Sequence, residues 1–258
     1  MTASTALAAS AALAARGLSL TIGGARIVQD LTIDVVAGEM IGVIGPNGAG
    51  KTTLFNLLSG VNRPTSGSVF LGGSDVTRES ATQRARRGLG RTFQTSSVFP
   101  ALSVLENVRL AAQAASGGSL SLLRRPRADD AATRAAGQCL ADVGLQARGQ
   151  VLAGSLAHGE QRKLEIAVLL AANPSVILLD EPMAGVSAAD VPDLVELIGR
   201  LHRDQGRTVL MVEHHMDVVL GLADRVAVLH NGRLLALDTP DAVMADPLVQ
   251  QAYLGQAA

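Results

Sequence analysis

Aromatic side chains are nearly missing from this 258-residue chain: they make up 2% of it, with no tryptophan, one tyrosine and four phenylalanines. Proteins that hold single-stranded nucleic acid need flat faces on which bases stack, and there is little here to build one. Neither sign of charge dominates. Lys plus Arg number 22 and Asp plus Glu 23, for a net charge of −1. The basic surface that a phosphate backbone attracts is therefore absent, and nucleic acid is not an expected partner. Cysteine is scarce as well. Cys139 stands alone, so no internal disulfide can form, no metal-ligand spacing exists, and a reducing compartment fits best. In its helix-like stretch it reads as a small buried hydrophobe. No window reaches the roughly 18 apolar residues of a membrane span, and the densest apolar run, Val176 to Leu179, is strand-sized. Met1 to Ala15 is Ala-rich, and no basic residue precedes Arg16. It lacks the positive start of a signal peptide and is expected to be a disordered lead-in. The chain should be soluble by itself, with any membrane role exercised through partners.

What is present is an ordinary globular balance, 48% hydrophobic and 17% charged residues, enough for a core. Strand-like runs cover Leu18 to Ile22, Leu31 to Val35 and Met40 to Ile44. The third leads into a glycine-rich loop and a helix from Lys51 to Ser59, with Gly60 as C-cap. A hairpin-like segment spans Ser68 to Gly73, and a strand from Leu89 to Phe93 ends at Gln94. From Thr95 to Gly154 no strand pattern appears. Helices are expected over Val104 to Ala114 and Ala128 to Val143, joined by a linker, so this region reads as a helical insertion. The α/β alternation resumes with a helix over Gly159 to Ala172, the strand at Val176, a helix over Asp190 to Arg203, a strand at Thr208 to Val212 and a short helix from Met216. Arg225 to His230 and Arg233 to Asp238 form a hairpin across Asn231-Gly232. Such alternation with short links implies a largely parallel sheet covered on both faces. Arg84, Arg86 and Arg87 read as a solvated helix face.

The strongest motif is Gly45-Pro46-Asn47-Gly48-Ala49-Gly50-Lys51-Thr52, a complete G-x-x-x-x-G-K-T. Its glycines let backbone N–H groups curl around a polyphosphate, and the helix that follows presents its positive end. Lys51 supplies a point charge to the outer phosphates, the Thr52 hydroxyl can ligate Mg²⁺, and Thr53 supports the loop. The second motif, Val176-Ile177-Leu178-Leu179-Asp180-Glu181, runs hydrophobic residues into two carboxylates. Asp180 suits the Mg²⁺ hydration shell, and Glu181 is placed to orient and deprotonate a water. Leu156-Ala157-His158-Gly159-Glu160 opens a helix, Glu213-His214-His215 follows a strand, and Gln94 ends one. Each of these last three means little by itself, and a histidine such as His214 can cap a core strand harmlessly.

Taken in order, these motifs resemble the nucleotide-binding subunits of ABC transporters over nearly the whole chain. The resemblance implies a P-loop NTPase, with a largely parallel sheet, an N-terminal antiparallel β subdomain and a helical subdomain at about 95–172, all in one ATPase domain over 16–255. In its terms Gly45 to Thr52 is the Walker A loop, Gln94 the Q-loop glutamine and Leu156 to Glu160 the signature. Asp180 and Glu181 are the Walker B aspartate and catalytic glutamate, Ala184 to Ser187 the D-loop and His214 the switch histidine, with His215 as second choice. It implies ATP and Mg²⁺ as cofactors, Mg²⁺ being held by Thr52, Gln94 and Asp180. It also implies a head-to-tail dimer with a second ATP-binding subunit, paralogue or self, in which each signature serves the other subunit's ATP. Transmembrane permease subunits, an extracytoplasmic solute-binding protein and a peripheral position on the cytoplasmic face of the inner or plasma membrane follow from the same likeness.

Finer wording narrows the resemblance. Arg91-Thr92-Phe93-Gln94, Leu164-Glu165-Ile166-Ala167, Asp180 to Gly185, Ala252-Tyr253-Leu254-Gly255 and the Ala/Gly/Leu/Arg stretch from Ala111 to Arg134 are similar to the ATP-binding subunits of branched-chain amino acid importers. Relatives that move urea or short amides share Leu156-Ala157-His158-Gly159, and exporter engines share the chemistry. Two departures stand out. Ala157 replaces the signature serine, so the γ-phosphate would be met by backbone donors and Gly159. Ile22 stands where the family stacks an aromatic on adenine, which weakens selection between ATP and GTP.

Overall fold

Short aliphatic runs without polar alternation mark strands buried on both faces, and three of them form the middle of a six-stranded sheet. In the computed structural model, which describes residues 11–92, 98–116 and 130–254 (backbone only for Tyr253 and Leu254), every residue of β3 (Met40–Ile44), β7 (Val176–Asp180) and β8 (Thr208–Val212) is buried. The order is β10-β9-β3-β8-β7-β6, with β6 at Leu89–Arg91, β9 at Arg225–His230 and β10 at Arg233–Asp238. β3 runs parallel to β8 and β9, and β7 parallel to β8, while only the β9–β10 hairpin is antiparallel among the registered pairs. In register, Asp180 lies opposite Val212, and Val212 opposite Val43. The carboxyl ends of three parallel strands thus open on one edge, where ligands of open α/β sheets bind.

A second sheet is antiparallel, in the order β2-β1-β4-β5. It consists of β1 (Ala11–Ile22), β2 (Ala25–Val36), β4 (Ser66–Leu71) and the two-residue β5 (Ser74–Asp75). Of the lead-in expected through Ala15, residues 1–10 lie outside the described residues, and the remainder is a strand instead. Ala11 to Ala15 already belong to β1, paired with β2 on one side and β4 on the other, and Ala14 and Ala15 are fully buried. Alanine has low strand propensity, but tertiary pairing on both edges decides the outcome.

Helix α1 (Lys51–Ser59) starts at Gly50 and ends at Gly60, both left-handed, with φ of 99° and 78°. Helix α2 (Ala81–Arg86) opens with a Ser80–Gln83 capping box. The reading of its arginines as a solvated face holds for the exposed Arg86 and Arg87 but not for Arg84, which is 1% exposed. The Arg84 guanidinium donates to the carbonyls of Leu57 and Leu58 at 2.7 Å each and of Thr77 at 3.1 Å. It closes the carboxyl end of α1, whose last carbonyls have no partner within the helix.

The described chain divides into two compact units. The first holds residues up to 89, 175–181 and 199 onward, and the second holds 90–174 and 182–198. The helical subdomain expected at about 95–172 falls in the second, which also takes in 182–198. There α3 (Val104–Ala115), α4 (Ala131–Asp142) and α5 (His158–Leu170) pack on one another. Ser103 and Asp130 cap the first two by accepting the N–H groups of Glu106 and Thr133. Cys139 is buried on α4, as expected. Helix α6 (Val191–Arg203) follows Asp190, and α7 (Met216–Leu222), α8 (Pro240–Ala245) and α9 (Pro247–Leu254) complete the chain. No helix among the described residues is long and apolar enough to cross a membrane.

Candidate functional site

The glycine-rich loop runs from the end of β3 into α1, and its shape is enforced by neighbours. A Cβ at Gly45 would lie 2.2 Å from the carbonyl oxygen of Leu229, so no other residue fits there. Gly48 has nothing within 4 Å of such a position, leaving the middle of the loop open to an approaching group. The β9–β10 turn supports the loop from behind: Gly232 N–H donates to Ala49 O at 3.1 Å, and Gln29 N–H to Gly232 O at 2.8 Å. Asn231 and Gly232 both have positive φ, 48° and 76°, as a two-residue hairpin turn of this type demands.

Lys51 is 6% exposed, and its ammonium donates to Gly45 O at 2.6 Å and Pro46 O at 3.1 Å. Burial pushes its pKa below the ordinary lysine value, against the opposing pull of Glu181 and Asp180. A cation curled into its own loop, a helix amino end with no acidic residue in its first turn and an open glycine together make a cradle for a polyphosphate. Thr52 and Thr53 are half-buried beside it. Asp180 ends β7 almost fully buried, at 3% exposure. A carboxylate there is stable only beside cations or donors, which suits an Mg²⁺ site. Among the described residues no group of three His, Cys, Asp or Glu side chains gathers as a protein-only metal cage.

Glu181 holds a left-handed φ of 51°, uncommon for a residue with a side chain and a form of strain that gathers at functional sites. Its N–H donates to Val212 O at 2.9 Å, fixing it to the end of β8. Its Oε1 lies 3.0 Å from His214 Nε2. The structure therefore brings Glu181 and His214 together, and both remain open to solvent. Glu213, which opens the Glu213-His214-His215 motif, had no role of its own in the sequence. Its carboxylate is buried, and Oε2 accepts from His214 N–H at 2.9 Å and lies 3.0 Å from His215 Nδ1. An acid between a strand and two histidines was the available signal.

Leu156 to Glu160 lie in the second unit, at the start of α5. Ala157 is the N-cap and supplies no side-chain cap. Glu160 Oε2 instead accepts Ala157 N–H at 3.3 Å, and Arg148 Nε donates to Glu160 Oε1 at 2.9 Å. His158 is exposed and Leu156 buried. Gly159 faces Asp190, whose Cβ would be 2.9 Å from an added Cβ, and Asp190 accepts the Ser187 hydroxyl at 2.7 Å. Gln94 and the rest of 93–97 lie outside the described residues, as do 117–127 of the expected linker and 128–129 of the helix expected from Ala128.

The family model described as "ABC transporter" matches residues 28–184. This chain belongs to the ABC transporter ATP-binding family. Its members hydrolyse ATP to power transport, so the chain is an ATPase subunit of a transporter. A second family model, "Branched-chain amino acid ATP-binding cassette transporter", matches residues 233–258. Among curated proteins, the chain is 38% identical to the high-affinity branched-chain amino acid transport ATP-binding protein LivG of Escherichia coli (strain K12), over 95% of this chain and 98% of LivG. It is also 38% identical to the lipopolysaccharide export system ATP-binding protein LptB of Acidithiobacillus ferridurans, over 89% of this chain and 90% of LptB. Among solved structures, the ADP conformation of MJ1267, an ATP-binding cassette of an ABC transporter, superposes with TM-score 0.83 at 29% identity, covering 95% of this chain and 99% of that one. The ABC cassette fold, with its antiparallel and mixed sheets and its helical region, is the one expected from the motifs.

Proposed function

We propose that this ATPase powers import of branched-chain, hydrophobic amino acids. The observation that carries the reading is the carboxyl-terminal match over residues 233–258. Overall identity does not discriminate, because LivG and LptB are each 38% identical to the chain. The likeness to LptB favours a second reading, an exporter engine, and the wording of residues 156–159 favours a third, an importer of urea or short amides.

In the proposed mechanism the amides of Gly45 to Thr52 and the amino end of α1 bind the phosphates, with Lys51 turning from its loop carbonyls to the outer oxygens. Mg²⁺ held by Thr52, Asp180 and Gln94 would supply charge neutralisation there. Glu181 accepts a hydrogen bond from the attacking water and polarises it. His214, hydrogen-bonded to Glu181 in this structure, contacts the γ-phosphate. The amides of Leu156 to Glu160 serve the ATP of a second ATP-binding subunit in a head-to-tail dimer, closing on ATP and opening after hydrolysis. Permease subunits, an external solute-binding protein and a place on the cytoplasmic face of the membrane complete the assembly. In cells carrying Lys51→Ala, labelled leucine uptake should be lost while urea and amide uptake persist. Intact leucine uptake with loss of amide or urea uptake, or of lipid or polysaccharide export, would replace the substrate assignment.

A further inference from the structure

Directly after β8 the chain places a buried carboxylate, where burial is costly unless every oxygen is used. The Glu213 side chain is 2% exposed. Its Oε2 accepts N–H from His214 at 2.9 Å and from His215 at 3.4 Å, and lies 3.0 Å from His215 Nδ1. Successive amides of one turn thus converge on a single oxygen, and the next side chain closes over it. The residue whose amide is held most closely is His214, whose Nε2 lies 3.0 Å from Glu181 Oε1. The neighbouring strand contributes a second restraint, since Glu181 N–H is bound to Val212 O at 2.9 Å. Both ends of the Glu181–His214 contact are therefore anchored to the carboxyl end of β8, one through a backbone carbonyl and the other through Glu213.

We infer that Glu213 is a positioning residue for ATP hydrolysis: its buried carboxylate gathers the turn amides and the His215 ring, so that the His214 ring is held against Glu181. This rests on the reading of His214 as a residue that acts on the γ-phosphate. A stabilising role alone would be expendable, because buried charge is often replaced by an apolar side chain of similar size without loss of stability. A positioning role is not expendable, because a displacement of about 1 Å at a reacting group can cost about a hundredfold in rate.

The test uses the full chain assembled with its transporter partners and measures ATP turnover, KM for ATP and thermal midpoint. Glu213→Met keeps length and packing but removes the acceptor. It should lower kcat at least about tenfold, with KM within about twofold and no fall in the midpoint. Glu213→Gln keeps an acceptor oxygen and should stay within about threefold of wild type. In a His214→Ala background, where the target of positioning is gone, adding Glu213→Met should cost less than about twofold further. Full turnover in His214→Ala alone would remove the underlying reading and this inference with it. A tenfold loss in His214→Ala with normal turnover in Glu213→Met would overturn this inference alone. So would an equal cost of Glu213→Met in both backgrounds. If Glu213→Met does not fold, the glutamine variant decides: a folded Glu213→Gln protein without turnover overturns the inference, and near-normal turnover supports it.

Discussion

Arg84 offers the most quantitative check on how the phosphate-binding helix is held. The perturbation is Arg84→Ala. It removes a guanidinium that is 1% exposed and donates to Leu57 O, Leu58 O and Thr77 O. Hydrogen bonds from a charged donor contribute about 1.5–3 kcal/mol each. Leu58 O is left buried without the guanidinium, Leu57 O keeps only Gly60 N–H at 3.3 Å, and the vacated volume adds a cavity term. Burial lowers the pKa of Arg84 from the ordinary arginine value, a sign that its own desolvation offsets part of the gain. The net loss should be roughly 3–5 kcal/mol, which for a chain of this size is a drop of about 6–20 °C in thermal midpoint. Gly60 supplies an internal control. An added Cβ there would lie 2.9 Å from Arg84 Nε and from Glu79 O, at a φ of +78°. Gly60→Ala should therefore disturb the same clamp, and its cost in an Arg84→Ala background should be smaller than in wild type. The assay is thermal unfolding of the purified full chain, followed by circular dichroism. A midpoint within about 2 °C of wild type for Arg84→Ala would refute the clamp.

Three further outcomes follow from the same geometry. Gly159→Ala drives a methyl against Asp190 and should cut ATP turnover by about tenfold or more, leaving ATP affinity of the isolated chain unchanged; normal turnover would show that the contact relaxes freely. Ile22, 56% exposed beside Gly23 and Gly24, offers a base only an aliphatic wall, so ATP and GTP should bind within about threefold of each other, and Ile22→Tyr should tighten ATP by about 0.5–1.5 kcal/mol in a calorimetric titration. Chelation of Mg²⁺ should abolish turnover in a coupled phosphate-release assay, and activity that survives a chelator would remove Thr52 and Asp180 from their proposed role.

Much of the site was legible in the sequence because its determinants are contiguous. The loop from Gly45 to Thr52 carries its own geometry, and the run from Val176 to Glu181 announces a buried strand ending in acids. Asn231-Gly232 encodes its turn through residues that tolerate positive φ. What the sequence hid depends on distant partners. Ala11 to Ala15 lack the β-branched alternation of a strand and become one because β2 and β4 flank them. Arg84 looked like one of three surface arginines, and only the return of α1, 26 and 27 residues away, gives it carbonyls to hold. Glu213 stood in the sequence beside two histidines with no role assigned, and only the fold shows its side chain buried.

The most direct test of the central claim is ATP hydrolysis by the assembled transporter carrying Glu181→Gln, with nucleotide binding measured in parallel. The substitution keeps size and shape and removes only the basic oxygen that faces His214 Nε2 at 3.0 Å. ATP binding should be unchanged and turnover reduced by about 10²–10⁴-fold, the range for loss of a positioned general base. Turnover within about threefold of wild type would contradict it, because Glu181 would then not be the group that polarises the attacking water.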